Sequence, residues 1–136
     1  MPSLRSIVYV SSSVIPFSTS DLEDLLLKAK AFNSKHSITG ALFYKDGNFI
    51  QCIEGPPAEM VLTYDRILKD KRHKGIIQLI NLPIPFRAFK SWEMAFVRIG
   101  PNRSQELTNA LSRTSPNATN KTHPSLVLMN SFISTL

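Results

Sequence analysis

A single cysteine in 136 residues, Cys52, excludes an internal disulfide and suits a reducing compartment. No apolar run approaches the roughly 20 residues that a membrane-crossing helix needs. The opening residues, MPSLRSIVYV, lack the charged n-region and long apolar h-region of a secretion signal. A cytoplasmic chain with no membrane partner is therefore expected. The three histidines, His36, His73 and His123, lie far apart and offer no zinc-ligand spacing. Neither a Gly-rich phosphate loop nor a G-x-S-x-G elbow is present. Hydrolase and metal-enzyme chemistry thus have little support, and a non-enzymatic role with no metal is expected.

What the chain does have is 43% hydrophobic residues, enough for one domain with a real core. Its net charge of +6 favours anionic partners without identifying any. The basic residues are scattered except for Lys69, Lys71, Arg72, His73 and Lys74. One small cluster of this kind reads as the solvated end of a helix rather than a nucleic-acid surface. Three glycosylation sequons, at Asn102, Asn117 and Asn120, fall in a Ser/Thr/Asn-rich stretch and carry no weight without secretion.

Residues 5–12 are β-rich, with Ile7, Tyr9 and Ser11 on one face and Val8 and Val10 on the other. Ser20-Asp21-Leu22-Glu23 has the form of a capping box and predicts a helix start. Leu22, Leu25, Leu26 and Ala29 follow helical spacing, and Asn33 is next on that stripe. Asn33 is thus either a buried amide that needs partners or a helix cap. Residues 38–44 and 48–54 predict a hairpin closed by Lys45-Asp46-Gly47-Asn48, with the polar Gln51 flanked by Phe49, Ile50, Cys52 and Ile53. Gly55-Pro56-Pro57 opens a second helix, whose buried face is Met60, Val61, Tyr64, Ile67 and Leu68. Arg66 and Asp70, four apart, are placed to pair along it, as a surface ion pair or as part of a polar site.

Residues 75–82 read as a fourth strand, followed by Pro83 and Pro85 in a loop. Residues 91–99 read as a fifth, with Trp92, Met94 and Phe96 on one face, ordinarily a core pattern. After Gly100-Pro101 come a short helix at 103–113, a polar linker, and a second apolar segment at 125–136 that packs on the sheet or makes a subunit contact. The expected architecture is α+β, a ferredoxin-like βαββαβ core with an added fifth strand and a C-terminal helical tail. Residues 1–99 would form the domain and 100–136 an extension of it. Two helices on one sheet face leave a slot between them, with Tyr9, Asn33 and Gln51 looking inward and Trp92 and Met94 nearby. Amides both donate and accept, so they suit a flat heterocycle read at its edge.

The ordered blocks Tyr9-x-Ser11, Asn33-x-x-x-x-Ile38-Thr39-Gly40-Ala41-Leu42-Phe43-Tyr44 and Gly47-x-Phe49-x-Gln51-x-x-Glu54-Gly55 resemble a BLUF domain, a blue-light sensor using FAD. Ile67-x-x-Asp70-x-Arg72-His73 and Arg87-x-Phe89-x-x-Trp92-x-Met94 extend the resemblance, which runs from about residue 5 to about residue 97. It implies FAD between the helices, with Gln51 bonded to flavin N5, the neighbouring carbonyl and Tyr9. It also implies Asn33, Arg66 and Asp70 at the pyrimidine edge, Arg72 and His73 near the cofactor, and Leu25 and Ile67 as apolar walls. Light would move an electron and a proton from Tyr9, Gln51 would rearrange, and the signal would leave through the fifth strand past Trp92 and Met94. Phe32 departs from the pattern, which often has a polar residue there, and Cys52 should face the other side of the sheet. Output would be a change in homo-oligomeric assembly or in binding of an unidentified downstream partner. Two rivals remain at this point: an RNA-binding domain of the same strand order, favoured by the charge and by Tyr9 and Phe49, and a flavin-binding domain without photochemistry.

Overall fold

The computed structural model describes residues 3–89, the backbone of 95–98, and residues 125, 128 and 129. Trp92, Met94, the helix expected at 103–113, the sequons and most of the tail lie outside them. The elements are β1 (Leu4–Ser13), α1 (Thr19–Lys35), β2 (Thr39–Lys45), β3 (Asn48–Gly55), α2 (Pro57–Lys69), β4 (His73–Ile84) and β5 (Ala95–Arg98). They form one sheet of order β4-β1-β3-β2-β5, antiparallel except for β2 with β5. The first four strands and two helices are the expected ferredoxin-like core, and β5 is added at its β2 edge.

Local chemistry sets the boundaries. Helix α1 is capped by Ser18 and Asp21, each side chain bonded to the other's backbone N–H, rather than by Ser20 and Glu23. The start moves forward because Phe17, just before the cap, and Leu22, in the first turn, are both buried in one core cluster. That apolar staple fixes where the chain enters the helix. Asp46 and Gly47, at φ 49° and 82°, form the two-residue hairpin turn between Lys45 and Asn48 that right-twisted strands favour. Strand β4 begins two residues before the expected Gly75, whose left-handed φ of 63° lies where the pairing with β1 shifts register. It also runs through Pro83, placed in a loop by the sequence reading. A proline is tolerated because β4 is an edge strand.

Strand alternation divides the core in two. Ile7, Tyr9, Leu42, Tyr44, Phe49 and Ile53 meet the helices. Val8, Ala41, Phe43, Ile50 and Cys52 face the opposite way, beneath Ala88, Phe89 and Met129. Residues 125, 128 and 129 are helical, and Ser125 accepts or donates a 2.6 Å bond with Ser6 on that second face.

Glu54, fully buried, holds this second layer down. Its carboxylate accepts bonds from the Thr39 hydroxyl at 2.9 Å and from the backbone N–H groups of Ala88 and Phe89 at 2.9 and 2.7 Å. The Arg87 guanidinium donates to Thr39 Oγ1, the Glu54 carbonyl and the Ser37 carbonyl. No buried side-chain nitrogen or oxygen among the described residues lacks a partner.

Gly40 permits the tightest approach in the sheet: a Cβ there would lie 2.0 Å from the Cys52 carbonyl oxygen. Backbone cannot yield as a side chain does. Gly40→Ala should therefore cost about 3 kcal/mol or more, read as a lower urea midpoint. An unchanged midpoint would mean that the β2–β3 spacing is looser than described.

Candidate functional site

A cavity of about 550 Å³ opens between α1 and α2, with the sheet as its floor. This is an ordinary size for a small-molecule site. The floor is Tyr9, Leu42, Phe49 and Gln51, and Phe17 closes one side. Helix α1 contributes Leu25 and Ala29, and α2 contributes Leu62, Arg66 and Ile67. Lys69, Asp70, Arg72 and His73 follow at the end of α2.

At the centre are Tyr9 and Gln51, directly opposite each other on β1 and β3. Side chains of such a pair lie on one face within reach of each other. The Tyr9 hydroxyl donates to Gln51 Oε1, and both residues are buried. Burial pushes the Tyr9 phenol far above its ordinary 10.0, with Tyr64 and Asp70 adding to the effect. The phenol therefore stays protonated and remains a donor. With Oε1 committed to Tyr9, any donation from Gln51 comes from Nε2.

Of the residues expected at the site, Tyr9, Leu25, Gln51, Arg66, Ile67, Asp70, Arg72 and His73 all line the cavity. Asn33 does not. It is buried one helical turn beyond Ala29, inside α1, which continues to Lys35 and is capped at His36. The expected Arg66–Asp70 pair does not form. Asp70 is the C-cap of α2 with an extended ψ of 116°, so its carboxylate leaves the helical stripe. It takes a two-pronged bond from the Arg72 guanidinium instead, at 3.0 and 2.7 Å. The basic cluster after α2 is likewise not simply solvated. His73 Nε2 lies 2.8 Å from the Ile67 carbonyl and Nδ1 lies 2.9 Å from Ser11 Oγ.

The chain matches the family model described as sensors of blue-light using FAD over residues 4–95. It belongs to the BLUF family. The photoactivated adenylate cyclase alpha subunit of Euglena gracilis is 38% identical over 88 residues, covering 65% of this chain and 9% of that protein. This chain thus spans about a tenth of the length of the curated relatives it matches. Among solved structures, the BLUF protein BlrB in its dark state aligns over 100% of this chain and 99% of its own, at 27% identity and a TM-score of 0.73. Klebsiella pneumoniae BlrP1, solved with FMN and cyclic diGMP, shares the fold at 23% identity and a TM-score of 0.81, over 96% of this chain and 34% of its own.

The BLUF family's cofactor is FAD, and the cavity suits a flavin on its own chemistry. A buried amide and phenol stand on the floor, apolar Leu25 and Ile67 on the walls, and basic side chains at the rim. Sequence pattern alone missed Phe17 and Leu62 as lining residues. It also missed Glu54 as a buried carboxylate, although Glu54 interrupts an apolar strand just as Gln51 does. No helix among the described residues is long and apolar enough to cross a membrane.

The Arg72 guanidinium holds the Asp70 carboxyl below its ordinary 3.8. A carboxylate lowered on folding adds stability above its unfolded pKa and loses it as pH falls through the folded value. Asp70→Asn should therefore melt below wild type at neutral pH, with the gap closing as pH falls below the ordinary carboxylate value of 3.8 and through the lowered folded one. A gap that persisted in acid would assign the loss to something other than this ion pair.

Proposed function

We propose that this chain is a non-enzymatic blue-light photoreceptor whose switch is the Tyr9–Gln51 pair. The observation that carries this reading is the buried bond from the Tyr9 hydroxyl to Gln51 Oε1 on the cavity floor. Leu25 and Ile67 would hold the faces of a bound ring. Gln51, Arg66 and Asp70 would read its edge, with Arg72 and His73 close to the cofactor. When bound, FAD supplies the absorption of blue light and an acceptor for one electron.

Tyr9 would donate that electron, and its proton would leave Oη toward Gln51 Oε1, to which it is hydrogen-bonded. Burial supports this assignment, since a phenol that cannot ionise in the dark keeps its proton until it is oxidised. Gln51 would then rearrange, by rotation or tautomerisation of its amide, the electron and a proton would return to Tyr9, and the two amide arrangements would form the two-state element that light biases. The pair is set in one cross-sheet row, Gln78–Tyr9–Gln51–Leu42–Phe96, that ends on β5. This row supports an exit for the signal through the fifth strand, by way of Trp92 and Met94. From there, output would reach the 100–136 extension and change homo-oligomeric assembly or binding of a downstream protein.

The RNA-binding reading loses its main support. Stacking on bases needs exposed rings, whereas Tyr9 and Phe49 are 3% and 5% exposed and lie under the helices.

Wild-type protein loaded with FAD should shift its flavin absorption reversibly to longer wavelength in blue light. Tyr9→Phe and Gln51→Leu should each keep the flavin, by fluorescence titration, and lose the shift. A normal shift in Gln51→Leu would remove the amide from the mechanism, and failure of wild type to take up FAD would sink the reading as a whole.

A further inference from the structure

The basic side chains around the cavity are not equivalent. Lys69 is paired with Asp65 at 2.9 Å, and Arg72 is paired with Asp70 at 2.7 Å. Arg66 falls inside the first of these pairs in sequence, and the carboxylates one residue before it and four after it are both taken. Its guanidinium carbon instead lies 4.5 Å from the ring centroid of Phe32, across the cleft on α1. An aromatic face attracts a guanidinium without neutralising its charge or occupying its in-plane N–H donors. Among the cavity's arginine and lysine residues, Arg66 is therefore the one held in place with its charge and donors uncommitted to a carboxylate.

Phe32 is itself braced. The His36 imidazole stacks on it at 4.2 Å with the planes 24° apart, and His36 Nδ1 lies 2.6 Å from Glu59 Oε2 on α2. The order Arg66–Phe32–His36–Glu59 thus begins and ends on α2 and passes through the last turn of α1. Phe32 is only half-buried and lines no part of the cavity, so packing of the core does not account for the stack. A phenylalanine ring at this position does for Arg66 what a carboxylate could not, fixing the guanidinium while leaving it cationic.

We propose that Phe32 is a positioning residue that holds the Arg66 guanidinium at the cavity rim as the hydrogen-bond donor and positive charge for the polar edge of the bound ring. This rests on the flavin reading above. A fixed cation at that edge favours added electron density on the ring, so Phe32 would set both affinity and reduction potential through Arg66. Without the aromatic face, no other ion pair, hydrogen bond or ring contact among the described residues holds the Arg66 guanidinium at the rim.

Phe32→Leu removes the π face while keeping an apolar side chain of similar bulk. Its affinity for FAD, by fluorescence titration of the apoprotein, should fall about threefold to fivefold, and the midpoint potential of the bound flavin should become more negative. Phe32→Tyr should restore both. In an Arg66→Met background, Phe32→Leu should have no further effect on either. Undiminished effects of Phe32→Leu in that background would assign Phe32 a merely structural role and overturn the proposal, as would wild-type affinity and potential in Phe32→Leu itself. Wild type that binds FAD and shifts reversibly in light while these variants behave as wild type would leave the photoreceptor reading standing without this one. Wild type that takes up no FAD would remove both.

Discussion

A side-chain amide sealed inside a protein has to be hydrogen-bonded there or it costs about 1–3 kcal/mol. Gln51 meets that condition across one rung of the β1–β3 ladder, where Tyr9 stands directly opposite. The rest of the site follows from this rung. The side-chain period of a strand is two, so a slip of one residue would turn Gln51 to the face that Cys52 occupies and leave no polar floor beneath the helices. The same burial that makes the pair obligatory keeps the Tyr9 phenol protonated, so the donor and acceptor roles are settled before any ligand binds.

Strand β3 serves both sides of the sheet. Gln51 faces the cavity, while Cys52 and Glu54 face the second layer. Burial, together with the charge of Glu54, pushes the Cys52 thiol far up, against hydrogen bonds from Ser6, 3.4 Å away, and Ser125. A thiol held in that form is unreactive, in keeping with a packing role. Three residues beyond Gln51, Glu54 binds the backbone of Ala88 and Phe89. The loop between β4 and β5 is therefore tied to the strand that carries the amide, and the two faces are mechanically joined through a single element.

The fold was legible in the sequence wherever one period dominated. Alternation sorted Ile7 and Tyr9 from Val8 and Val10, and helical spacing found the α1 stripe, because each reports a face set by local geometry. The failures lie at element ends and at charged groups. Ser20 and Glu23 match a capping box as well as Ser18 and Asp21 do, and only the tertiary packing of Phe17 against the core decides between them. Arg66 and Asp70 have the spacing of an ion pair, but Asp70 has already left the helix, so spacing along the chain no longer measures distance in space. Pro83 reads as a break until β4 is known to be an edge. The site was legible in part: one amide in an apolar strand marked Gln51, and the ordered motifs added its ligand. Asn33, also polar on a buried stripe, is sealed within the protein yet lines no part of the cavity, a distinction that residue type does not encode.

Under the proposed photochemistry, light changes the side-chain amide of Gln51. Infrared difference spectra between lit and dark protein, with and without isotopically labelled glutamine, observe that amide itself. Label-sensitive amide bands are expected in FAD-loaded wild type, vanishing in Gln51→Leu and persisting in a variant of the exposed Gln78. Difference spectra that complete a normal photocycle with no label-sensitive glutamine band would contradict it.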